Sequence, residues 1–376
     1  MHTTHQIIYG DSRKLHSLTD ESIDMVVTSP PYPMIKMWDD LFARLNPDIT
    51  IYLDRGDCRS AFESMHRVLD AVWLELFRVM KEGAVACINI GDAVRTFRGR
   101  FQLFANHSRI LSKFTEIGFD LLPTILWRKQ TNAPNKFMGS GMLPAGAYVT
   151  LEHEHILIFR KGPKRVFISP EEKRRRRESS YFWEERNIWF SDLWDFKGVL
   201  QGMGGDSIRS RSAAYPFLLP FRLINMYSVL GDTVLDPFLG TATTALAAVA
   251  NGRNSVGYEI NPAFGAYIKG RLKEEAAQLN RYNLQRLEDH LKFVHRQTHE
   301  KGSLKYVNSY FGFPVMTKQE QELKFPFIKT IDEGEPDLYI AAYLEDKEIR
   351  GLDLDELAGK LLLARGGGGF EQRIGL

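Results

Sequence analysis

The chain of 376 residues holds two cysteines, Cys58 and Cys87, far apart in sequence. Two such residues build no disulfide framework, no structural zinc site and no Cys-x-x-Cys motif. They also exclude the zinc deaminases, which need a Pro-Cys-x-x-Cys segment. The scarcity fits a reducing cytosol. Long hydrophobic runs are missing too. None approaches membrane-spanning length, and MHTTHQIIYG at the start has no signal-peptide pattern, so a cytoplasmic protein without a membrane partner is expected. An excess of one charge is absent: 49 Lys plus Arg stand against 47 Asp plus Glu, a formal +2, so the whole molecule advertises no anionic partner. There is no internal repeat, and no Gly-x-Gly-x-x-Gly of a dinucleotide site.

The composition that remains, 44% hydrophobic and 26% charged, is ordinary for a globular protein. The length suits two to three domains or one large α/β domain with insertions. Strand and helix patterns alternate, which predicts an α/β fold with a mainly parallel sheet covered by helices. QIIYG (6–10), IDMVVTS (23–29), AVACINI (84–90), LLPTILW (121–127) and HILIFR (155–160) read as strands. Leu69, Val72, Trp73, Leu76, Phe77 and Met80 predict a helix over 64–81. Leu103, Ile110, Leu111, Phe114 and Ile117 predict another, stopped by Gly118.

Over 161–212 the pattern loosens. Residues 160–177 carry nine Lys/Arg against two Glu, which reads as a solvated loop or strand edge, or as a phosphate-contacting patch. Trp183, Trp189, Trp194 and the glycine-rich QGMGGD (201–206) follow. Regularity returns at 216 with PFLLPFRLINMYSVL, helical after Pro220. A long helix over about 262–297 and a mixed tail over 300–376 come later, the tail with one strand candidate at 337–345 and a flexible GGGGF end. The two histidines of HEH (153–155) share a strand face but read as strand-edge polar residues. His66 and His107 read as helix-surface residues, so no metal is expected.

Two loops carry chemistry. GDTVLDPFLGTATTALAAVANGRNSVGYEIN (231–261) reads as strand, loop, helix, strand and acid. Such a βα loop brings backbone N–H groups close to a polar or anionic ligand if side chains stay small. Gly240, Ala242 and the hydroxyls of Thr243 and Thr244 suit a small carboxylate, and Glu259 is placed to accept bonds from ribose hydroxyls. Asp236 would repel a pyrophosphate, so a mononucleoside with a cationic end is favoured over a dinucleotide. The other loop, TSPPY (28–32), ends a buried strand with a hydroxyl, two prolines and an aromatic ring.

DPFLGTATTALAA and TSPPY together resemble the cofactor loop and catalytic loop of S-adenosylmethionine-dependent DNA amino-methyltransferases. Their order resembles the circularly permuted β group. YGDSRKL (9–15), WRKQTNAPNKF (127–137), HILIFRKG (155–162) and AAYPFLLPFRLI (213–224) resemble further segments of that group. Ala242 departs from it, since glycine is usual there, and a slightly narrowed loop is expected. The resemblance implies a Rossmann-like class I methyltransferase fold, circularly permuted, with helices on both faces, an inserted recognition region and a C-terminal extension. It implies a cofactor site of Asp11, Thr28, Pro216, Asp236, Phe238, Gly240, Thr243, Thr244 and Glu259. Asp236 and Phe238 would border the methionine end, Thr243 and Thr244 its carboxylate, Glu259 the ribose and Asp11 the adenine amine. Asp11 also reads as a helix cap.

The reaction implied is methyl transfer to an exocyclic amine, a poor nucleophile whose lone pair is delocalised into its ring. Ser29 Oγ and the Pro30 carbonyl would accept its two N–H groups; the second proline has no N–H to compete and holds residue 30 extended. Tyr32 would stack the extruded base, worth ~1–3 kcal/mol, and flipping costs a few kcal/mol. Serine at position 29 implies cytosine N4, with adenine N6 as the alternative. An RNA amino-methyltransferase and a catalytically silent DNA-binding regulator remain as other readings.

The expected division is a catalytic half (1–160), a target-recognition insertion (161–212), a cofactor half (213–298) and an extension (299–376). The extension would widen recognition, cover a sheet edge or mediate dimerisation. The segment 33–60 would close over the site or pack as a helical insertion. Arg174, Arg175, Arg176, Arg177, Arg209 and Arg211 are the candidate DNA contacts. The expected partners are duplex DNA and, functionally, a cognate restriction endonuclease, for a monomer or homodimer near a prokaryotic nucleoid.

Overall fold

The run Ile23–Thr28 (β2) is buried at each of its six positions, because both faces of its sheet are covered. In the computed structural model, which describes residues 1–129, 138–198, 215–350 and 354–362, β2 lies at the centre of a ten-stranded sheet. The other strands are β1 (His2–Tyr9), β3 (Met80–Ile90), β4 (Phe119–Arg128), β5 (His153–Lys161), β6 (Leu193–Asp195), β7 (Thr233–Asp236), β8 (Asn254–Glu259), β9 (Ile328–Glu333) and β10 (Leu338–Tyr343). Their order is β6-β4-β5-β3-β2-β7-β8-β1-β10-β9. Pairings run parallel from β1 through β8, β7 and β2 to β3; only β5 and β10 are reversed.

Side chains alternate across this sheet. Met25 and Val27 join a core with α7 (Leu218–Tyr227), α8 (Thr243–Ala250), α9 (Gly265–Glu274) and α10 (Ala276–Lys301). Val26 joins the opposite core with α1 (Asp39–Leu45), α2 (Asp48–Arg55), α3 (Cys58–Val79) and α4 (Asn106–Ile117). The mainly parallel sheet with helices on both faces is therefore present. Among the described residues no helix is long and apolar enough to cross a membrane.

Several elements differ from expectation. The helix expected over 64–81 starts at Cys58, capped by the Asp57 carboxylate on Ser60 N (3.1 Å), and gives way to strand at Met80. The helix expected from Leu103 starts at Asn106. Before it, Ala93–Phe97 and Arg100–Phe104 form an antiparallel hairpin closed by Arg98-Gly99, both at positive φ (47° and 79°), the geometry of a two-residue type I′ turn.

Residues 162–169 of the basic run are loop, as expected, but its arginines 174–177 lie on helix α5 (Pro170–Glu178). Ser169 and Glu172 form a capping box with proline in the first turn. Trp189 and Trp194 do not face a ligand. They sit in the core, Trp189 at the end of α6 (Trp183–Trp189) and Trp194 on β6. The long helix of 262–297 is broken into α9 and α10. The tail adds β9 and β10 to the sheet, with β10 antiparallel to β1, so Ile331, Tyr339 and Ala341 are core residues. QGMGGD, Arg209, Arg211, the segment 130–137 and the GGGGF end lie outside the described residues.

Candidate active site

β2 and β7 are adjacent and parallel, with Met25 opposite Val234 and Val26 opposite Leu235. Thr28 and Asp236 are 208 residues apart in the chain and end on one level, so TSPPY and DPFLGTATT meet. This is the crevice beyond the carboxyl ends of parallel strands where α/β folds bind ligands. A cleft of about 870 Å³ opens there, walled by Ser29 and Pro30, by Asp236, Phe238, Gly240 and Thr243, and by Asp11 and Glu259. Trp38, Leu41 and Phe42 of the 33–60 segment also line it, so that segment packs as helices and forms part of the wall.

Asp236 is buried and clasps the two halves together. Its carboxylate accepts from Thr28 Oγ1 (2.5 Å), Thr244 Oγ1 (2.5 Å), Phe238 N (3.0 Å) and Tyr215 Oη (3.3 Å). Burial pushes its pKa up, and these bonds pull back part of the shift. Thr28 and Thr244 thus stand behind the wall, bonded to Asp236 rather than turned to a ligand. Tyr215, beside the expected Pro216, is the residue of that pair lining the cleft. Thr243 remains on the wall, and its hydroxyl is met by Arg271 (3.3 Å), which also donates to Thr241 O (2.6 Å). Sequence reading passed over Arg271, because it lies one helix downstream.

Glu259 Oε2 accepts Gly240 N (2.9 Å) and Oε1 accepts Asn261 N (2.8 Å). Burial raises its pKa, against the pull of these backbone donors. The two bonds fix the carboxylate plane and leave a lone pair on each oxygen. Asp11 is gripped by Arg13, at 2.9 Å from Nε and 2.6 Å from Nη2. Burial would raise its pKa, but Arg13 outweighs burial and holds it below the ordinary range.

Ser29 Oγ is 3.1 Å from Tyr32 Oη. Tyr32 Oη donates to Glu154 Oε2 (3.0 Å), Asn89 Nδ2 donates to Tyr32 Oη (2.9 Å) and to Glu154 Oε2 (2.6 Å), and Lys129 closes the network on Glu154. Burial, then the Glu154 charge, pushes the Tyr32 pKa well up, so the phenol keeps its proton. The Tyr32 ring also abuts Gly91, where an added Cβ would lie 2.9 Å from Cε2.

Between the two histidines of HEH, Glu154 is buried (8% exposed), a residue the sequence reading passed over. The signal was period two: in a strand, Glu154 faces away from His153 and His155. His66 is not a surface residue either. It is fully buried, with Nε2 bonded to Asn106 Oδ1 (3.0 Å). Asn106 Nδ2 in turn donates to Gly91 O (2.9 Å) and Pro33 O (3.1 Å), bracing the TSPPY loop.

Asp92, His107 and His155 come together nearby. His107 Nδ1 lies 2.8 Å from both Asp92 oxygens, and the imidazoles stack with centroids 4.0 Å apart and planes 15° apart. In-plane lone pairs of stacked rings do not converge on one ion, so the arrangement reads as an Asp–His pair capped by a second ring.

The structure does not bring Arg174, Arg175, Arg176 or Arg177 to the cleft. β5 descends from His153 at the cleft end to Lys161 beside Met80 at the opposite end. The chain entering α5 stays there: Arg165 pairs with Asp232 (2.7 Å), before β7, and Ser179 Oγ accepts Leu230 N (2.8 Å). Arg177 pairs with Glu322, and Arg176 lies over Phe167.

Comparison with known proteins adds to this geometry. The family model described as DNA methylase matches residues 23–270. The chain is 50% identical over 332 residues to the type II methyltransferase M.MthZI of Methanothermobacter thermautotrophicus, spanning 88% of this chain and 92% of that protein. It is 48% identical over 281 residues to M.MjaI of Methanocaldococcus jannaschii, spanning 72% and 91%. A candidate DNA modification methylase of Thermus thermophilus, solved with S-adenosyl-L-methionine, is 31% identical with a TM-score of 0.55, covering 71% of this chain and 92% of that one.

Proposed function

Since the chain belongs to the N6/N4 DNA methylase family, we propose that it is the methyltransferase of a type II restriction–modification system. It transfers a methyl group from S-adenosylmethionine to the exocyclic N4 amine of a cytosine flipped from duplex DNA. The observation that carries this reading is the hydrogen-bond polarity at Ser29. Tyr32 has one hydroxyl proton and spends it on Glu154. The Ser29–Tyr32 bond therefore has Ser29 as donor, and Ser29 Oγ presents only lone pairs to the cleft. An amine being methylated needs acceptors there. Ser29 Oγ and the Pro30 carbonyl take its two N–H groups and draw the nitrogen lone pair out of conjugation.

The donor set fits the cofactor. The loop from Asp236 to Thr243 is small at Gly240, where an added Cβ would meet only Phe238 O at 3.9 Å. Glu259 has a lone pair on each oxygen for two ribose hydroxyls, Asp11 is an ionised acceptor for an adenine amine, and Thr243 with the Arg271 charge suits a carboxylate. The bound cofactor supplies a sulfonium methyl, already a strong electrophile. The chain's own work is alignment, which needs no protein nucleophile. Glu154, neutralised by Lys129, holds Tyr32 so that Ser29 stays an acceptor, and Tyr32 offers its ring to the extruded base. The serine of SPPY favours cytosine N4. Adenine N6 would use the same two acceptors.

The test is transfer of labelled methyl from the cofactor to unmethylated duplex DNA, followed by nucleoside analysis of the product. Label in N4-methylcytosine is expected. Label in N6-methyladenine would shift the substrate base, and label in RNA or in neither nucleic acid would overturn the reading. Ser29→Ala should lower kcat by on the order of a hundredfold or more, while cofactor binding by calorimetry stays near that of the parent.

A further inference from the structure

The hairpin Ala93–Phe104 stands at the catalytic end of the sheet and has no counterpart among the elements expected from sequence. It leaves β3 just past Gly91, which touches the Tyr32 ring. Its two feet, Ala93 and Phe104, are buried. Asn106, two residues beyond the second foot, donates to Gly91 O on one side and to Pro33 O, next to Tyr32, on the other. Arg95 ties one strand to Asp39 at the start of α1 (2.8 and 2.5 Å). Phe101 on the other strand stacks on Tyr148, centroids 4.2 Å apart, in the segment that runs on to Glu154. The hairpin is thus strapped to the catalytic loop, to the cleft wall and to the strand that holds Tyr32.

Its tip is basic. Arg98 forms the turn and Arg100 follows it. The Arg98 side chain lies over Gly56, where an added Cβ would meet Nε at 2.8 Å. That contact puts the tip beside the junction of α2 and α3, which carries Arg55 and Arg59. All four arginines are exposed, and among the described residues none has an acidic partner. Arg78, Arg109, Arg165 and Arg177, by contrast, are each held in an ion pair. Four unpaired guanidinium groups on a braced support attract a polyanion. The support's attachment to the catalytic loop specifies which one.

We propose that this hairpin tip, with the α2–α3 junction, grips the phosphates of duplex DNA beside the flipped base. It would hold the strand in register with Ser29, in place of the arginine helix α5. The inference rests on the DNA-methyltransferase reading, and the experiment separates the two. Methyl transfer and DNA affinity are measured against salt for the parent, for Arg98→Gln/Arg100→Gln, and for Arg174→Gln/Arg176→Gln. Cofactor binding of each reports whether the fold is intact.

Each lost phosphate contact lowers the slope of log K against log salt by about 1. The hairpin variant should lose about 2 units of slope, with DNA affinity and KM for DNA weakened roughly tenfold or more and cofactor binding unchanged. The α5 variant should keep the parental slope. A parent that methylates DNA, together with a hairpin variant that keeps its slope, would overturn the inference alone. A parent that neither binds nor methylates DNA would overturn the DNA reading itself, and the inference with it.

Discussion

At residue scale, the hydroxyl proton of Tyr32 sets the direction of its bond with Ser29. A serine hydroxyl is ambivalent, able to donate or accept, and nothing in SPPY says which. The structure gives Tyr32 an anionic acceptor in Glu154 and a donor in Asn89, so the remaining bond of its oxygen is taken by the Ser29 hydroxyl proton. If this chain of bonds sets the polarity of Ser29, Glu154→Leu and Tyr32→Phe should each cut kcat at least tenfold with little change in cofactor affinity. The double variant should be no worse than the poorer single one, as expected for coupled residues. Glu154→Gln keeps a carbonyl acceptor and should recover much of the loss. Additive losses in the double variant would show that Glu154 does not act through Tyr32.

At the scale of elements, the cofactor loop turns into α8 through Ala242, whose φ of 63° places it in the left-handed region while its side chain is fully buried. Left-handed geometry costs a non-glycine residue about 1–2 kcal/mol. The Ala242 methyl recovers about 0.8 kcal/mol by burial, and alanine restricts the unfolded chain by about 0.4–1 kcal/mol more than glycine. The terms nearly cancel, so Ala242→Gly should lie within about 1 kcal/mol of the parent in urea unfolding and keep cofactor affinity. A loss of several kcal/mol would mean the methyl does more than these terms allow. This is also why alanine is tolerated where the resembling loops usually have glycine. The hairpin and α5 were both written in local signals: Arg-Gly between alternating strands for one, Ser-Pro-Glu-Glu before the arginines for the other. Their positions at opposite ends of the sheet were not, because strand direction depends on long-range pairing.

Across the whole molecule, buried histidines make stability depend on pH. His5 joins β1 to β8 through Ser255 (2.9 Å) and to Thr3 (2.8 Å), and His66 braces Asn106. Burial lowers the pKa of each from 6.5 to about 3. The unfolded chain therefore binds more protons between these values. Stability is full above pH 6.5 and falls as pH drops toward 3, by up to ~1.4 kcal/mol per pH unit for each histidine. Urea midpoints between pH 7 and 5 should fall less steeply in His5→Gln/His66→Gln than in the parent. An equal fall would assign the acid sensitivity to other groups.

The sequence by itself determined the α/β class, the two chemical loops and the methylase family, because these rest on local periodicity and on contiguous residue patterns. It also marked Ser29, Asp236 and Glu259, since each ends or directly follows a strand. Only the tertiary structure decided that Thr28 and Thr244 bond to Asp236 behind the cleft wall, and that Tyr215 lines the cleft while Asn89, Glu154 and Arg271 bond to residues around it. It likewise settled that β9 and β10 complete the sheet and that the arginine run lies away from the cleft. Each of these depends on which strands become neighbours and which way they run. Burial and hydrogen-bond partners across that distance are set by packing, and no segment carries them alone.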